Sequence, residues 1–292
     1  ADRSRRAGRS GGPVVTAPDG TGTTVDPTAG GSGPGTAGAA ELRTGPRYWV
    51  SCYPRMVAWQ FATLRLYLPV LAVVQVLAGV GFVLGIGLFF PGEVPHRSAV
   101  YVSTGVPVIN LYLLGLVLLP QVIGQQRLAK TYDFTQSLPV PRSVGFAAWY
   151  TMTLLVGAPA VVATLAAAAL RYDPGFAVSL AVVPAAALVC LTATAVGQAM
   201  AHAVAEPMVV QVLTQILNFL AIGFAPVCMP PEQLPDWLVT VNRWLPFDAM
   251  AVVMRSALVE QPVAGVARAC LVLAAWTAAC LALAGWAVGR RG

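Results

Sequence analysis

Long apolar stretches separated by short polar breaks make up most of the chain after residue 65. A helix that crosses a bilayer needs about 20 consecutive apolar residues, and six stretches of that order carry no acidic or basic side chain. The pattern predicts an all-α integral membrane protein with six transmembrane helices. These spans are expected at about 66–90, 98–126, 143–170, 174–203, 207–229 and 268–289.

Composition supports a lipid environment. Hydrophobic residues make up 57% of the chain and charged residues 10%, whereas soluble domains carry about 25% charged residues. The five cysteines show no paired spacing and the two histidines lie far apart, so no metal site is expected. The net charge of +6 comes from arginines placed between apolar stretches, which argues against binding to nucleic acid.

The same arginines predict an orientation, because cationic residues near spans favour the cytoplasmic side. We expect a multi-pass protein of the plasma (inner) membrane with both termini in the cytoplasm. In that orientation nine cationic residues flank the spans inside and five lie outside. The inside set is Arg43, Arg47, Arg55, Arg65, Arg127, Lys130, Arg142, Arg290 and Arg291, and the outside set is Arg97, Arg171, Arg243, Arg255 and Arg268.

The chain before the first span has two parts. Residues 1–40 contain almost no large apolar side chain, so they are expected to form a disordered tail, with the membrane domain at 41–292. Residues 47–65 mix aromatic and arginine side chains, which favour the headgroup layer of a membrane. They predict an amphipathic, partly helical interfacial segment that leads into the first span.

The polar connection between the second and third spans, residues 126–143, is the first candidate functional segment. Arg127, Lys130 and Asp133 fall at helical spacing, and Pro139 and Pro141 end the pattern. A short amphipathic helix at the cytoplasmic surface could receive a push from a partner protein. On the residues alone, an ordinary solvated loop is an equally good interpretation.

This 126–143 connection resembles the segment after the second span in type-two exporter permeases of ATP-binding-cassette (ABC) transporters. The usual pattern there is an acidic residue, Gly-Thr, leucines and Pro-Val-Ser-Arg. The chain has Lys130 at the glycine and Pro141 at the serine, with Arg127 in the acidic region. The resemblance implies a coupling helix that contacts an ATPase through Arg127, Lys130, Thr131, Asp133, Pro139 and Arg142.

The second candidate is residues 225–260, which are too polar to span simply and too apolar for a free loop. Prolines divide this 225–260 segment, and its tryptophans would hold the pieces at the membrane interface, so it predicts a half-inserted hairpin on the outer side. It is similar to the same family's signature before the last span. The residues implied for this extracellular re-entrant hairpin are Pro230, Leu234, Pro235, Trp237, Trp244, Pro246 and Arg255.

Three amides of the predicted fifth span, Gln211, Gln215 and Asn218, share one helical face. They either line a substrate path or hydrogen-bond to a neighbouring helix, since amides often join helices inside membranes. No Asp, Glu or Lys lies clearly in the middle of a span, so an ion-coupled carrier lacks its expected relay. No set of catalytic side chains indicates a membrane enzyme.

The resemblance implies the permease subunit of an ATP-driven exporter of drugs, lipids or lipid-linked glycans, including multidrug efflux. Its implied partners are cytoplasmic ABC ATPase subunits, which hold ATP and Mg²⁺, a second permease copy or sister permease as a dimer, and membrane lipids. Residues 124–131 approach a phosphate-binding loop, but Ala129 stands where a second glycine is needed, so this chain is not expected to be an ATPase or to hold a cofactor. The alternative function is an ATPase-independent scaffold or channel-like protein.

Overall fold

The computed structural model describes residues 45–88, 95–131, 139–172, 176, 179–204, 206–224, 227–228, 230, 232 and 234–290. The predicted tail at 1–40, Asp133 and residues 132–138 of the predicted coupling helix lie outside the described residues. All regular structure in the described part is helical. The helices are α1 (Pro46–Leu64), α2 (Leu68–Leu88), α3 (His96–Tyr112), a π-helix (Leu113–Leu118), α4 (Leu119–Leu128), α5 (Arg142–Tyr172), α6 (Val182–Ala203), α7 (Pro207–Phe224), α8 (Asp236–Asn242), α9 (Pro246–Leu258) and α10 (Val266–Gly289).

Six helical stretches in the described chain are long and apolar enough to cross a membrane, which confirms the predicted number. The second is continuous through α3, the π-helix and α4, and the others are α2, α5, α6, α7 and most of α10. Helices suit a bilayer because they satisfy their backbone hydrogen bonds internally. The six stretches are Leu68–Leu88, His96–Leu128, Arg142–Tyr172, Val182–Ala203, Pro207–Phe224 and Val266–Ala287.

Two of the described helices are shorter than the spans predicted for them. The described helix of the fourth span begins at Val182, directly after a turn at Leu180 and Ala181. The hydroxyl of Ser179, before this turn, donates to the carbonyl of Ala257, 3.1 Å away. The described helix of the fifth span ends at Phe224. There Asn242 Nδ2 donates to the carbonyl of Phe224 at 2.8 Å, which satisfies a group that a helix end leaves free.

The second span lies at the centre of the helix bundle. Of its most apolar window 72% is buried within the chain, against 17% for the fifth span. Helices α2, α5, α6 and α9 pack against α3. The side chains of Val108, Leu111 and Tyr112 are fully buried there. The first, third, fourth and fifth spans all contact the second, whereas the last span packs against α6 and α9.

The π-helix of the second span makes a very close contact with α6. Gly115 lies in the π-helix, and a methyl group added to it would sit 2.7 Å from the backbone of Ala193. A methyl group at Gly197 would overlap the carbonyl oxygen of Gly115. Small residues of this kind let two helix backbones approach inside a membrane, where van der Waals contact drives association. The two glycines therefore fix where α6 crosses the second span.

A buried amide marks a second close contact, among α2, α3 and α5. Asn110 is 2% exposed and its Nδ2 donates to the hydroxyl of Thr164 at 3.0 Å. Thr164 in turn donates to the carbonyl of Ala160 at 2.6 Å. A methyl group at Gly79 of α2 would overlap both polar side chains. Because Gly79 has no side chain, Asn110 and Thr164 have room to form their hydrogen bond.

We predict that Gly197→Ala lowers the stability of the protein, because its methyl group cannot fit beside the carbonyl of Gly115 unless α6 moves away. Overpacking of this kind costs about 1–3 kcal/mol. Thermal unfolding of the purified chain in detergent should show a lower midpoint for this variant. Gly223→Ala in α7 is the matched control, since nothing lies within 4 Å of its added methyl group and it changes only helix propensity. Equal midpoints for the two variants would contradict the prediction.

Candidate functional site

The second span ends at Leu128, and Lys130 follows in a left-handed backbone conformation with φ of 56°. This is the region that glycine adopts without steric cost, whereas another residue loses about 1–2 kcal/mol there. The pattern that this connection resembles has glycine at this position, and the conformation of Lys130 gives a physical reason for that glycine. Thr131 follows and is half-buried.

Arg127 lies in the last turn of α4, and its side chain is directed to the end of α6. Its Nη1 donates to the carbonyl of Val204 at 2.9 Å, and its Nη2 lies 3.5 Å from Nδ1 of His202. Nε2 of His202 lies 2.8 Å from Oε1 of Gln198, which is 4% exposed. Arg127 thus links two spans within the chain.

Helix α1 lies beside the other end of the 126–143 connection. The hydroxyl of Tyr48 donates to the carbonyl of Pro139 at 2.6 Å, and Nε1 of Trp49 donates to the hydroxyl of Ser143 at 3.0 Å. Pro139 and Arg142 are exposed. The polar tips of these two aromatic rings therefore bond to the protein, and the start of α5 is fixed by the segment that precedes the first span.

Helix α9 is a short helix buried among longer ones. It has 13 residues, of which ten are buried, and it packs against α3, α6 and α10. A helix of that length is about 20 Å long, less than the roughly 30 Å of a hydrocarbon core. The 225–260 segment therefore holds two short helices that do not form a seventh span of their own. Helix α9 packs within the bundle, whereas α8 is mostly exposed and lies beside α9.

Arg255 joins α9 to α3 and to the end of the fifth span. It is 7% exposed; its Nε donates to the hydroxyl of Thr104 and its Nη2 to the carbonyl of Val227, both at 3.1 Å. Its guanidinium lies 3.8 Å from the centre of the Tyr101 ring, a cation–π contact. Gly105 makes room for this arrangement, since a methyl group there would overlap the carbonyl of Val227.

Asp248, an acidic residue of the same helix, acts on the positive charge of Arg255. Burial lowers the pKa of Arg255, and Tyr101 and Asp248 oppose that change. Burial likewise raises the pKa of the half-buried Asp248 carboxyl, and three nearby arginines act in the opposite direction. Those three are Arg255, Arg268 and Arg243. These are three of the five arginines that the predicted orientation places outside, and Asp248 acts on all three.

The prolines and tryptophans of the 225–260 segment occupy helix ends. Pro235 is the residue before α8 and Pro246 is the first residue of α9, positions where proline suits a helix start. Trp237 and Trp244 are 65% and 70% exposed, and Nε1 of Trp276 donates to the carbonyl of Trp244 at 2.9 Å. Pro230 is buried and Leu234 half-buried.

The three amides of the fifth span lie in two different environments. Asn218 accepts a hydrogen bond from the hydroxyl of Tyr112 at 3.4 Å, as the helix-joining interpretation predicts. Gln211 and Gln215 are exposed on the outside of the chain, next to the apolar side chains of Val212 and Ile216. Among the residues that the structure describes, none covers the face on which these two amides lie.

Residues 96–286 match the family described as ABC-2 family transporter protein. The chain belongs to this ABC-2 family. The match begins at the first residue of α3, ends within α10 and includes both candidate segments, so it confirms the resemblance drawn from their short patterns. Membership identifies the chain as a membrane transport component. Comparison with curated proteins gave no match.

Several residues that contact the predicted site residues of this ABC-2 chain could not be identified from the sequence. Thr104 and Tyr101, which hold Arg255, lie in an apolar stretch that indicates only a span. His202 and Gln198 were single polar residues of the fourth span, and only their spacing of four, which places them on one helix face, links them in the sequence. The contact between Tyr48 and Pro139 joins residues 91 positions apart. Such pairs become visible only when the helices are packed.

We predict that Arg255→Lys destabilises the ABC-2 chain by about 2 kcal/mol, since hydrogen bonds to charged groups contribute about 1.5–3 kcal/mol each. A lysine ammonium is a compact charge and cannot bond Thr104 and Val227 while it stacks on Tyr101. The midpoint of thermal unfolding in detergent is the measurement. Arg243→Lys, at an exposed position of the same segment, should stay within about 0.5 kcal/mol of the parent. A midpoint for Arg255→Lys as high as that of this control would show that the lysine replaces the guanidinium adequately.

Proposed function

We propose that this ABC-2 chain is the permease subunit of an ATP-driven exporter, which moves a hydrophobic or amphipathic substrate out across the plasma membrane with a separate ATPase. The observation that carries the proposal is the family match over residues 96–286, because it includes both segments in which the resemblance to exporter permeases was found. ATP and Mg²⁺ would be held by the partner, and the permease would supply the path.

The ATPase would dock on the 126–143 connection. Arg142 and Pro139 are exposed next to the start of α1, and arginine is suited to paired contacts with carboxylates of a partner. The connection joins α4 of the second span to α5 of the third. A displacement of the connection would therefore act directly on two helices that pack in the centre of the bundle.

A second permease, either another copy or a sister subunit, would cover the outer face of α7. This face carries Gln211 and Gln215 beside exposed apolar side chains such as Ile216 and Phe219. Amides that face hydrocarbon cost free energy unless they find a partner, so a facing helix or a polar path is favoured over lipid. Amides among apolar side chains suit an amphipathic substrate that passes between two permeases.

The outer hairpin of the proposed exporter would be formed by α8 and α9. Trp237 and Trp244 are exposed and would lie at the headgroup level of the outer leaflet, where tryptophan is enriched. Arg255 ties α9 to α3 and to Val227 at the end of the fifth span. With this anchor the hairpin would hold a fixed position at the outer end of the bundle. At the other side of the membrane, α1 would lie at the interface and both termini in the cytoplasm.

We predict that an ATPase copurifies with the tagged chain from native membranes in mild detergent, and that Arg142→Ala reduces its recovery about tenfold. This loss corresponds to one contact of about 1.4 kcal/mol. Arg97→Ala is the matched control, because Arg97 is also exposed but lies at the other end of the second span, paired with Glu232 at 2.6 Å. Its recovery should equal that of the parent. If no protein with ATPase activity copurifies with the parent, the scaffold or channel-like alternative replaces this proposal.

We predict that Gln215→Cys forms a covalent dimer of permeases under mild oxidation, in a chain whose five native cysteines are replaced by alanine. Gel electrophoresis without reductant is the measurement. Leu155→Cys on α5 is the control and should stay monomeric, because it is 56% exposed but lies on a different helix. A product with a sister permease would differ in mass from twice the chain. Equal dimer yields from both positions would refute a specific α7 interface.

A further inference from the structure

Helix α4, the half of the second span that leads to the 126–143 connection, is attached to α6 at both ends. At one end the π-helix that precedes α4 touches α6 through Gly115 and Gly197. At the other end Arg127 donates to the carbonyl of Val204 at 2.9 Å. Between these contacts, the buried side chains of Leu119, Ile123 and Ala201 pack together.

The hydrogen bonds at the Arg127 end assign a role to each group. A guanidinium can only donate, so Nδ1 of His202, at 3.5 Å, is the acceptor. The other ring nitrogen, Nε2, then carries the proton and donates to Oε1 of Gln198 at 2.8 Å. His202 therefore connects a cation at the end of α4 to a buried amide one turn back in α6.

The same contacts reach the start of α7. Val204 follows the last residue of α6 in extended conformation, with φ of −96° and ψ of 129°, and Pro207 begins α7 three residues later. A methyl group on Gly124 of α4 would lie 3.3 Å from the ring of Pro207, so α4 also lies close to the first residue of α7. The ends of α4 and α6 and the start of α7 thus touch at one place.

We propose that Arg127 is a positioning residue that braces α4 against Val204, the residue after α6, with His202 and Gln198 as further members of the brace. A displacement of the 126–143 connection would then move the start of α7, the helix with the exposed amides, together with α4. Arg127 acts within the permease and does not dock on the ATPase directly. The transmitted displacement rests on the proposed function, whereas the brace itself is a property of the chain alone.

Two spin labels test the brace without any ATPase. Leu128 and Met208 are 73% and 72% exposed and flank the contact, so each is replaced by cysteine and labelled in the full chain lacking its native cysteines. In lipid nanodiscs, the parent should give one narrow distance distribution by pulsed electron resonance. Arg127→Ala should at least double its width, and Arg127→Lys should give an intermediate width, because lysine reaches one acceptor only.

Substitutions of His202 distinguish the effect of its hydrogen bond from the effect of its size. His202→Asn keeps an acceptor near the position of Nδ1 and should retain the narrow distribution, whereas His202→Leu should broaden it. Arg142→Ala is the matched control, since Arg142 is exposed and lies outside the brace, and its distribution should equal that of the parent. An unchanged width in Arg127→Ala overturns the brace, whatever the protein transports.

Recovery of the ATPase provides the second readout. Arg127→Ala should retain the copurifying ATPase and its hydrolysis of ATP, and should lose most of the substrate transported per ATP. Arg142→Ala should instead lose the ATPase itself. If Arg127→Ala loses the ATPase as fully as Arg142→Ala with unchanged label distances, Arg127 docks directly and the proposal is wrong. If the parent recovers no ATPase, the proposed function fails while the label distances still decide the brace.

Discussion

The hydrocarbon core of a bilayer offers no hydrogen bonds, and this constraint underlies every feature of the structure. Backbone groups must be satisfied within helices, so the described chain folds into helices and turns. The few polar side chains inside the bundle must find partners there, and several do. Asn110 donates to Thr164, and Thr192 shares a hydrogen bond of 2.9 Å with Thr277 of the last span. Each of these pairs joins two spans at a fixed height.

Close packing of the helices depends on the positions of glycine residues, which have no side chain. The second span can be the central helix because Gly115 and Gly197 let it touch α6, and because Gly79 gives Asn110 room beside α2. Lipid tails are as apolar as leucine side chains, so burial alone gives little preference for one helix pair over another. The shapes of the helix surfaces and a few hydrogen bonds therefore determine which helices pack together. The π-helix at Leu113–Leu118 contains Gly115 and therefore lies at this close contact.

The two candidate segments were found from short patterns, and the structure explains parts of those patterns in physical terms. Glycine in the related permeases corresponds here to Lys130, whose φ of 56° is the conformation that glycine favours. The arginine that ends the second pattern is Arg255, a buried cation held by Thr104, Val227 and Tyr101. Arg127, in contrast, follows the pattern least, and its side chain lies against α6, in contact with Val204. In our proposals, Arg127 therefore acts within the chain, whereas the exposed Arg142 would contact the ATPase.

The sequence by itself determined the number of spans, their approximate positions and the family, because a stretch of about 20 apolar residues has one stable form in a bilayer. It also located the 126–143 connection and the 225–260 segment, since prolines and charges interrupt the apolar pattern there. Only the tertiary structure decided that α9 packs inside the bundle, that the fourth span starts at Val182, and that Arg127 reaches Val204. These features depend on pairs such as Arg127 with Val204 and Thr104 with Arg255, which lie 77 and 151 residues apart. A local pattern carries no information about such pairs, because the packing of distant helices brings them together.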